Sequence, residues 1–188
     1  MNRLAGFLAM AAGLGLAAAS SGAVAATECN TGPPPAAALS GTITGGVVVN
    51  AGDFCVLGGA TVYGGVRVNE GGILIACGST INGGVVTNGA LGVLIGPEEI
   101  ACAGDLIHGG VWISNTGPGV FPPPAPSLAV ENSKIDGGVH LIGNQGPIAV
   151  ASNLINGGLF CKNNAVPDVD DEGMPSVVTG ETTCEFGE

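Results

Sequence analysis

The stretch STINGGVVTNGA, residues 79–90, sets two adjacent glycines, Gly83 and Gly84, inside an apolar run that otherwise reads as β-strand. The same phrase occurs six times: GTITGGVVV at 41–49, ATVYGGVRV at 60–68, STINGGVVT at 79–87, DLIHGGVWI at 105–113, SKIDGGVHL at 133–141 and NLINGGLFC at 153–161. The first glycines fall at 45, 64, 83, 109, 137 and 157, giving spacings of 19, 19, 26, 28 and 20 residues. A base period of 19–20 residues, stretched twice by insertions, marks a repeat architecture in which each unit packs on its neighbours.

Each copy places an aliphatic residue two positions before the glycines (Ile43, Val62, Ile81, Ile107, Ile135, Ile155) and another directly after them (Val47, Val66, Val85, Val111, Val139, Leu159). Two residues later come Val49, Val68, Thr87, Ile113, Leu141 and Cys161. Alternation with period two means short strands with one buried face, and no 3.6-residue period competes with it. The chain therefore reads as an all-β, single-domain parallel β-helix (a β-solenoid, expected right-handed) of about six coils, capped and disulfide-stapled. Equivalent strands should stack about 4.8 Å apart. The Gly-Gly pairs become corners, which need positive φ or a tight bend and leave little room for a Cβ.

The stack predicts ladders along its axis. The residue before each pair is Thr44, Tyr63, Asn82, His108, Asp136 and Asn156, and Asn50, Asn69 and Asn88 recur after the second buried position. Stacked polar side chains of this kind satisfy turn backbone. The insertions hold IGPEEIACAG (95–104) and NTGPGVFPPPAPS (115–127); the prolines of the second force it out of the solenoid as a surface loop.

Residues 1–26 read as a secretory signal peptide: Arg3 precedes an apolar stretch from Leu4 to about Ala19, and Val24 and Ala26 suit a signal-peptidase site. Residues 27–40 are then an N-terminal cap, 41–162 the repeat domain and 163–188 a C-terminal cap or tail. Removal of Arg3 leaves three Lys/Arg against fifteen Asp/Glu, a net charge of −12. Such a surface repels nucleic acid and anionic membrane, and the mature chain has no apolar run fit to span a bilayer. Six cysteines in an exported chain imply disulfides, and no C-x-x-C pair suggests a metal or redox motif. Six cysteines allow fifteen pairings. Capping favours Cys29–Cys55 and Cys161–Cys184, and matching coil positions favour Cys77–Cys102.

A leading Cys, the repeated T-x-x-GG-V-x-V, GGLFCKNN (157–164), a Pro/Asp-rich loop and a last Cys together resemble a group of uncharacterised secreted bacterial β-helix proteins. That resemblance covers nearly all of the mature chain and implies a parallel β-helix and export, with no catalytic residue to carry over. The short Gly-rich coils are also similar to bactofilins, which lack export signals and disulfides.

Chemistry-bearing constellations are sparse. Asp53, Glu70, Asp105, Glu131 and Asp136 do not align as an acid/base pair, and the repeats offer few basic residues. The outward position after the buried valine reads Val48, Arg67, Val86, Trp112, His140 and Phe160. Trp112, His140 and Phe160 could form an aromatic platform for a sugar or a protein, extended by Phe121 of the Pro-rich loop. His108 and His140 lack a third ligand for a metal site. In the tail, Asp168, Asp170 and Glu172 open like a calcium loop, but Thr179 stands where the closing Glu belongs. A Thr column (Thr42, Thr61, Thr80), as on ice-binding solenoids, stops after three coils. The leading expectation is a secreted or cell-surface structural or interaction module without enzymatic activity, its partner an unknown surface protein or glycan, and without a cofactor. The alternative is a carbohydrate-binding or polysaccharide-processing protein assisted by calcium.

Overall fold

Val47, Val66, Val85, Val111, Val139 and Leu159 occupy equivalent register positions on successive parallel strands, each essentially buried. This column is one wall of a solenoid core. The computed structural model describes residues 24–34, 37–121, 126–165, 168–171 and 173–186. Apart from a 3-10 turn at Glu98–Ile100, the regular structure among the described residues is β-strand, and the strands pair in parallel.

Three faces enclose the core. Face A is a seven-stranded sheet of Thr27–Glu28, Val47–Val49, Val66–Val68, Val85–Asn88, Val111–Ser114, Val139–Ile142 and Leu159–Lys162. Face B stacks the first half of Phe54–Val62 on Ile73–Cys77, Gly92–Ile95, Leu128–Glu131 and Ile148–Ala151. Face C carries Leu39–Ile43, the end of Phe54–Val62, Thr80–Ile81, Leu106–Ile107, Lys134–Ile135, Leu154–Ile155 and Val177–Val178. Ile81, Ile107, Ile135 and Ile155 of face C meet Leu74, Val93, Leu128 and Ile148 of face B and the face A valines in a single cluster. Each such side chain contributes about 1.5–3 kcal/mol through burial.

The glycine pairs form the corner from face C to face A, as expected, through a bend at the first glycine and without positive φ. None of the twelve has positive φ. What they require is the absence of a side chain: a Cβ on Gly83 would lie 2.6 Å from Gly65 N, and one on Gly84 would lie 2.5 Å from Gly110 O. Backbone meets backbone there, and Gly83 N donates to Gly64 O across the rung at 3.1 Å. Left-handed backbone occurs instead at the next corner, where Gly89, Asn115, Gly143 and Asn163 take φ of 73°, 54°, 68° and 55° on successive rungs. Asn tolerates this region, which explains its recurrence beside glycine there.

The Asn ladder holds for its first link: Asn69 Nδ2 donates to Asn50 Oδ1 at 3.1 Å. Asn88 links onward instead, accepting from Asn115 Nδ2 at 2.8 Å, because its turn reaches the left-handed residue one position earlier than the turns with Gly52 and Gly71. A second ladder lies at the corner from face B to face C. Ser79 N donates to Asp105 Oδ1 (2.6 Å), Asp105 N to Ser133 Oγ (3.1 Å), Ser133 N to Asn153 Oδ1 (2.9 Å) and Asn153 N to Ser176 Oγ (3.1 Å). Each rung thus caps the backbone of the one before it.

The ends continue the stack, giving about seven turns in place of six. Thr27–Glu28 adds a strand to face A, and the tail adds Val177–Val178 to face C. Gly180 stands on Gly157, with Gly180 N donating to Gly157 O at 3.0 Å. VVTGET (177–182) is therefore a degenerate further copy in which one corner glycine survives. The three disulfides form the pairs that capping and matching coil positions favoured, Cys29–Cys55, Cys77–Cys102 and Cys161–Cys184, with Cα separations of 5.3, 5.0 and 4.8 Å. Among the described residues no helix is long and apolar enough to cross a membrane.

Candidate functional site

Face A presents its outward column in unbroken register: Val48, Arg67, Val86, Trp112, His140 and Phe160. Strand geometry forces this, since the residues on either side point into the core. Trp112 stacks on His140 with ring centroids 4.5 Å apart and planes 18° apart, and His140 stacks on Phe160 at 4.9 Å and 22°. The rung spacing is thus also the stacking distance. The Phe160 ring leans over Gly158, and His140 Nε2 lies near the place of a Cβ on Gly138.

This stacking alters what the rings can do. Both faces of His140 are occupied by its neighbours, whereas Trp112 and Phe160 at the two ends of the stack each carry a ring on one face only. Beside it, Val86 is 51% exposed and Trp112 45%. Arg67 supplies the positive charge two rungs away, its Nε donating to Asn69 Oδ1 at 3.2 Å. The result is a mostly apolar strip along face A. Phe121, expected to extend it, lies elsewhere: it packs with Ile75 and Leu94 on the outside of face B.

The corner before the strip holds a polar chain. His108 Nδ1 and Asp136 Oδ2 are 2.8 Å apart, Asn156 Nδ2 donates to Asp136 Oδ1 at 2.9 Å, and Lys134 Nζ lies 3.7 Å from the same oxygen. The hydrogen bond with His108, followed by that from Asn156, holds the Asp136 carboxyl below the usual range. These contacts join three successive rungs in the predicted ladder. His140 lies on face A and belongs to a different column.

The acidic tail residues are placed only in part. Glu172 lies outside the described residues, as does the Asp168 side chain. Asp170 is tied into face B, its carbonyl accepting from Val150 N at 2.8 Å, and Asp171 Oδ1 accepts from Gly173 N at 3.0 Å. No three His, Cys, Asp or Glu residues among those described are grouped to hold a metal ion.

One feature escaped the repeat-based reading. On face B the outward column is also apolar: Val56, Ile75, Leu94, Ala129 and Ala149 form a second cluster outside the solenoid, closed by Phe54 and Phe121. The signal was legible as ILIA (73–76), GVLI (92–95), LAV (128–130) and IAVA (148–151), continuous apolar runs that indicate burial on both sides of a strand. Buried nearby at the corner to face C, Asp105 has its pKa raised to about 6, desolvation outweighing the hydrogen bonds from Ser79 and Gly96. Compared with family models, curated proteins and solved structures, the chain matches none.

Proposed function

We propose that this protein is an exported structural and interaction module, without enzymatic activity, that engages a surface protein through face A. The reading rests chiefly on one observation, the exposed Val86–Trp112 pair continued by the stacked His140 and Phe160 rings along face A. Exposed apolar patches with aromatic anchors mark protein contacts. Rigid side chains held by stacking lose little entropy on binding, which favours association. The three disulfides suit an oxidising compartment outside the cytosol. The inferred signal peptide and the resemblance to secreted bacterial β-helix proteins are part of the same reading.

The test is site-specific photocrosslinking. A benzophenone side chain at Val86 on face A is compared with one at Leu154 on face C, using intact cells of the producing organism. A protein adduct formed from Val86, not from Leu154, and lost in Trp112→Ala supports the assignment. Equal labelling from both positions refutes it. Binding of purified polysaccharides that Trp112→Ala abolishes would transfer the site to glycan recognition.

A further inference from the structure

The departures from the minimal repeat converge on one side of the molecule. The N-terminal lead is held to the start of face B, where Thr31 N donates to Phe54 O at 2.8 Å and Val56 N to Thr31 Oγ1 at 2.9 Å. The 96–104 insertion leaves face B after Ile95 and is tied back by Cys77–Cys102. The 115–127 insertion delivers Phe121 to the same face. A bare solenoid would leave the outer apolar column open to water, and these segments close part of it. Between them remains a groove of about 360 Å³, within the usual range for small-molecule sites of about 300–1,000 Å³.

The floor of the groove is Phe54, Ile75 and Leu94, and its walls are Pro33 and Pro34 on one side and Pro97, Ile100 and Phe121 on the others. Glu99 is the one charged lining residue, and Glu98 adjoins it in sequence. Arg67, Lys134 and Lys162, the described basic residues other than histidine, belong to the strands of faces A and C. Apolar lining with a carboxylate at the rim, in a chain of net charge −11, complements a hydrophobic cation and opposes a fatty acid or other anionic amphiphile. Two of the three disulfides, Cys29–Cys55 and Cys77–Cys102, pin the walls. The Pro33–Pro34 and Pro97–Ile100 walls are thereby held in place, which lowers the ordering cost of binding.

We propose that this groove binds a small apolar molecule carrying a positively charged amine, its apolar body on Phe54, Ile75 and Leu94 and its amine at Glu99. The site is separate from the face A strip and does not depend on it.

The test uses three probes of one shape, 1-naphthylmethylamine, 1-naphthalenemethanol and 1-naphthoate, titrated into the oxidised protein. Calorimetry gives the affinities, and NMR follows the methyl groups of Ile75, Leu94 and Ile100. The amine binds most tightly and naphthoate least, with shifts confined to those methyls. Glu99→Gln weakens the amine about threefold, as for a partly exposed ion pair, and leaves the alcohol unchanged. Phe121→Ala weakens both about tenfold. Ile100→Ala, at a 56% exposed position on the groove wall, weakens both to a lesser extent, and Trp112→Ala changes neither. Absence of methyl shifts at millimolar probe, naphthoate binding as well as the amine, or an unchanged amine affinity in Glu99→Gln each overturns the proposal. So does sedimentation showing that a second copy of the chain closes the groove.

Discussion

Replacing Gly83 by alanine tests the argument that the corner pairs exist for contact between backbones. The added Cβ would sit 2.6 Å from Gly65 N, 2.7 Å from Gly65 Cα and 2.8 Å from Gly64 C, so no flexible side chain can move aside. The rungs must part, straining the Gly83 N to Gly64 O bond (3.1 Å) and the Val66 N to Gly84 O bond (2.9 Å). Overpacking costs about 1–3 kcal/mol, and each weakened hydrogen bond about 1 kcal/mol. The sum is about 3–5 kcal/mol. In the opposite direction, a glycine with ordinary φ would gain about 0.4–1 kcal/mol on replacement by alanine through unfolded-state entropy. The control is Gly143→Asn. Gly143 has φ of 68° and is flanked on neighbouring rungs by Asn115 and Asn163 in the same left-handed region. The nearest atom to its added Cβ is Asn115 Oδ1, the end of a side chain, at 2.8 Å. That variant should cost under about 1 kcal/mol. Urea unfolding of both, with disulfides intact and m-values compared, decides the matter. A Gly83→Ala protein within about 0.5 kcal/mol of the parent would refute the steric account.

Asp105, raised to about 6 from 3.8, binds its proton more tightly folded than unfolded. Its contribution to stability is therefore present below about pH 4 and lost as pH rises through about 6, a swing on the order of 3 kcal/mol; unfolding free energies at pH 4 and pH 7.5 should lose this component in Asp105→Asn, and an identical pH dependence in the variant contradicts it. Cys29→Ala with Cys55→Ala should lower stability by about 3 kcal/mol, with hydrogen exchange accelerating at Cys29 and Val47–Val49 while the rungs near Cys161 stay protected; uniform loss of protection would show that the turns do not open locally. His140→Ala removes the middle ring of the stack and should cost about 1–2 kcal/mol, with a changed Trp112 emission spectrum; an unaltered spectrum would mean that the rings are not stacked in solution.

The repeat period and the inward columns follow from local features, period-two alternation and glycine pairs at fixed intervals, while the cysteine positions favoured one disulfide pairing among fifteen without settling it. Such features act within a rung or between adjacent rungs, so the order of residues along the chain carries them. The aromatic column was legible for the same reason, since Trp112, His140 and Phe160 share one position in the repeat. That their rings would stack plane to plane became evident only once the rungs stood a stacking distance apart. The corner glycines were located correctly, but sequence could not distinguish positive φ from a missing Cβ, because the deciding atoms, Gly65 N and Gly110 O, belong to other turns. The ends read as caps because their phrase is degraded; backbone pairing across rungs shows that Thr27–Glu28 and Val177–Val178 also extend the stack. The position of Phe121, the pKa of Asp105 and the face B groove were decided by tertiary structure alone. Each depends on which segments the long, irregular insertions bring over a face, and no repeat period specifies the path of an insertion.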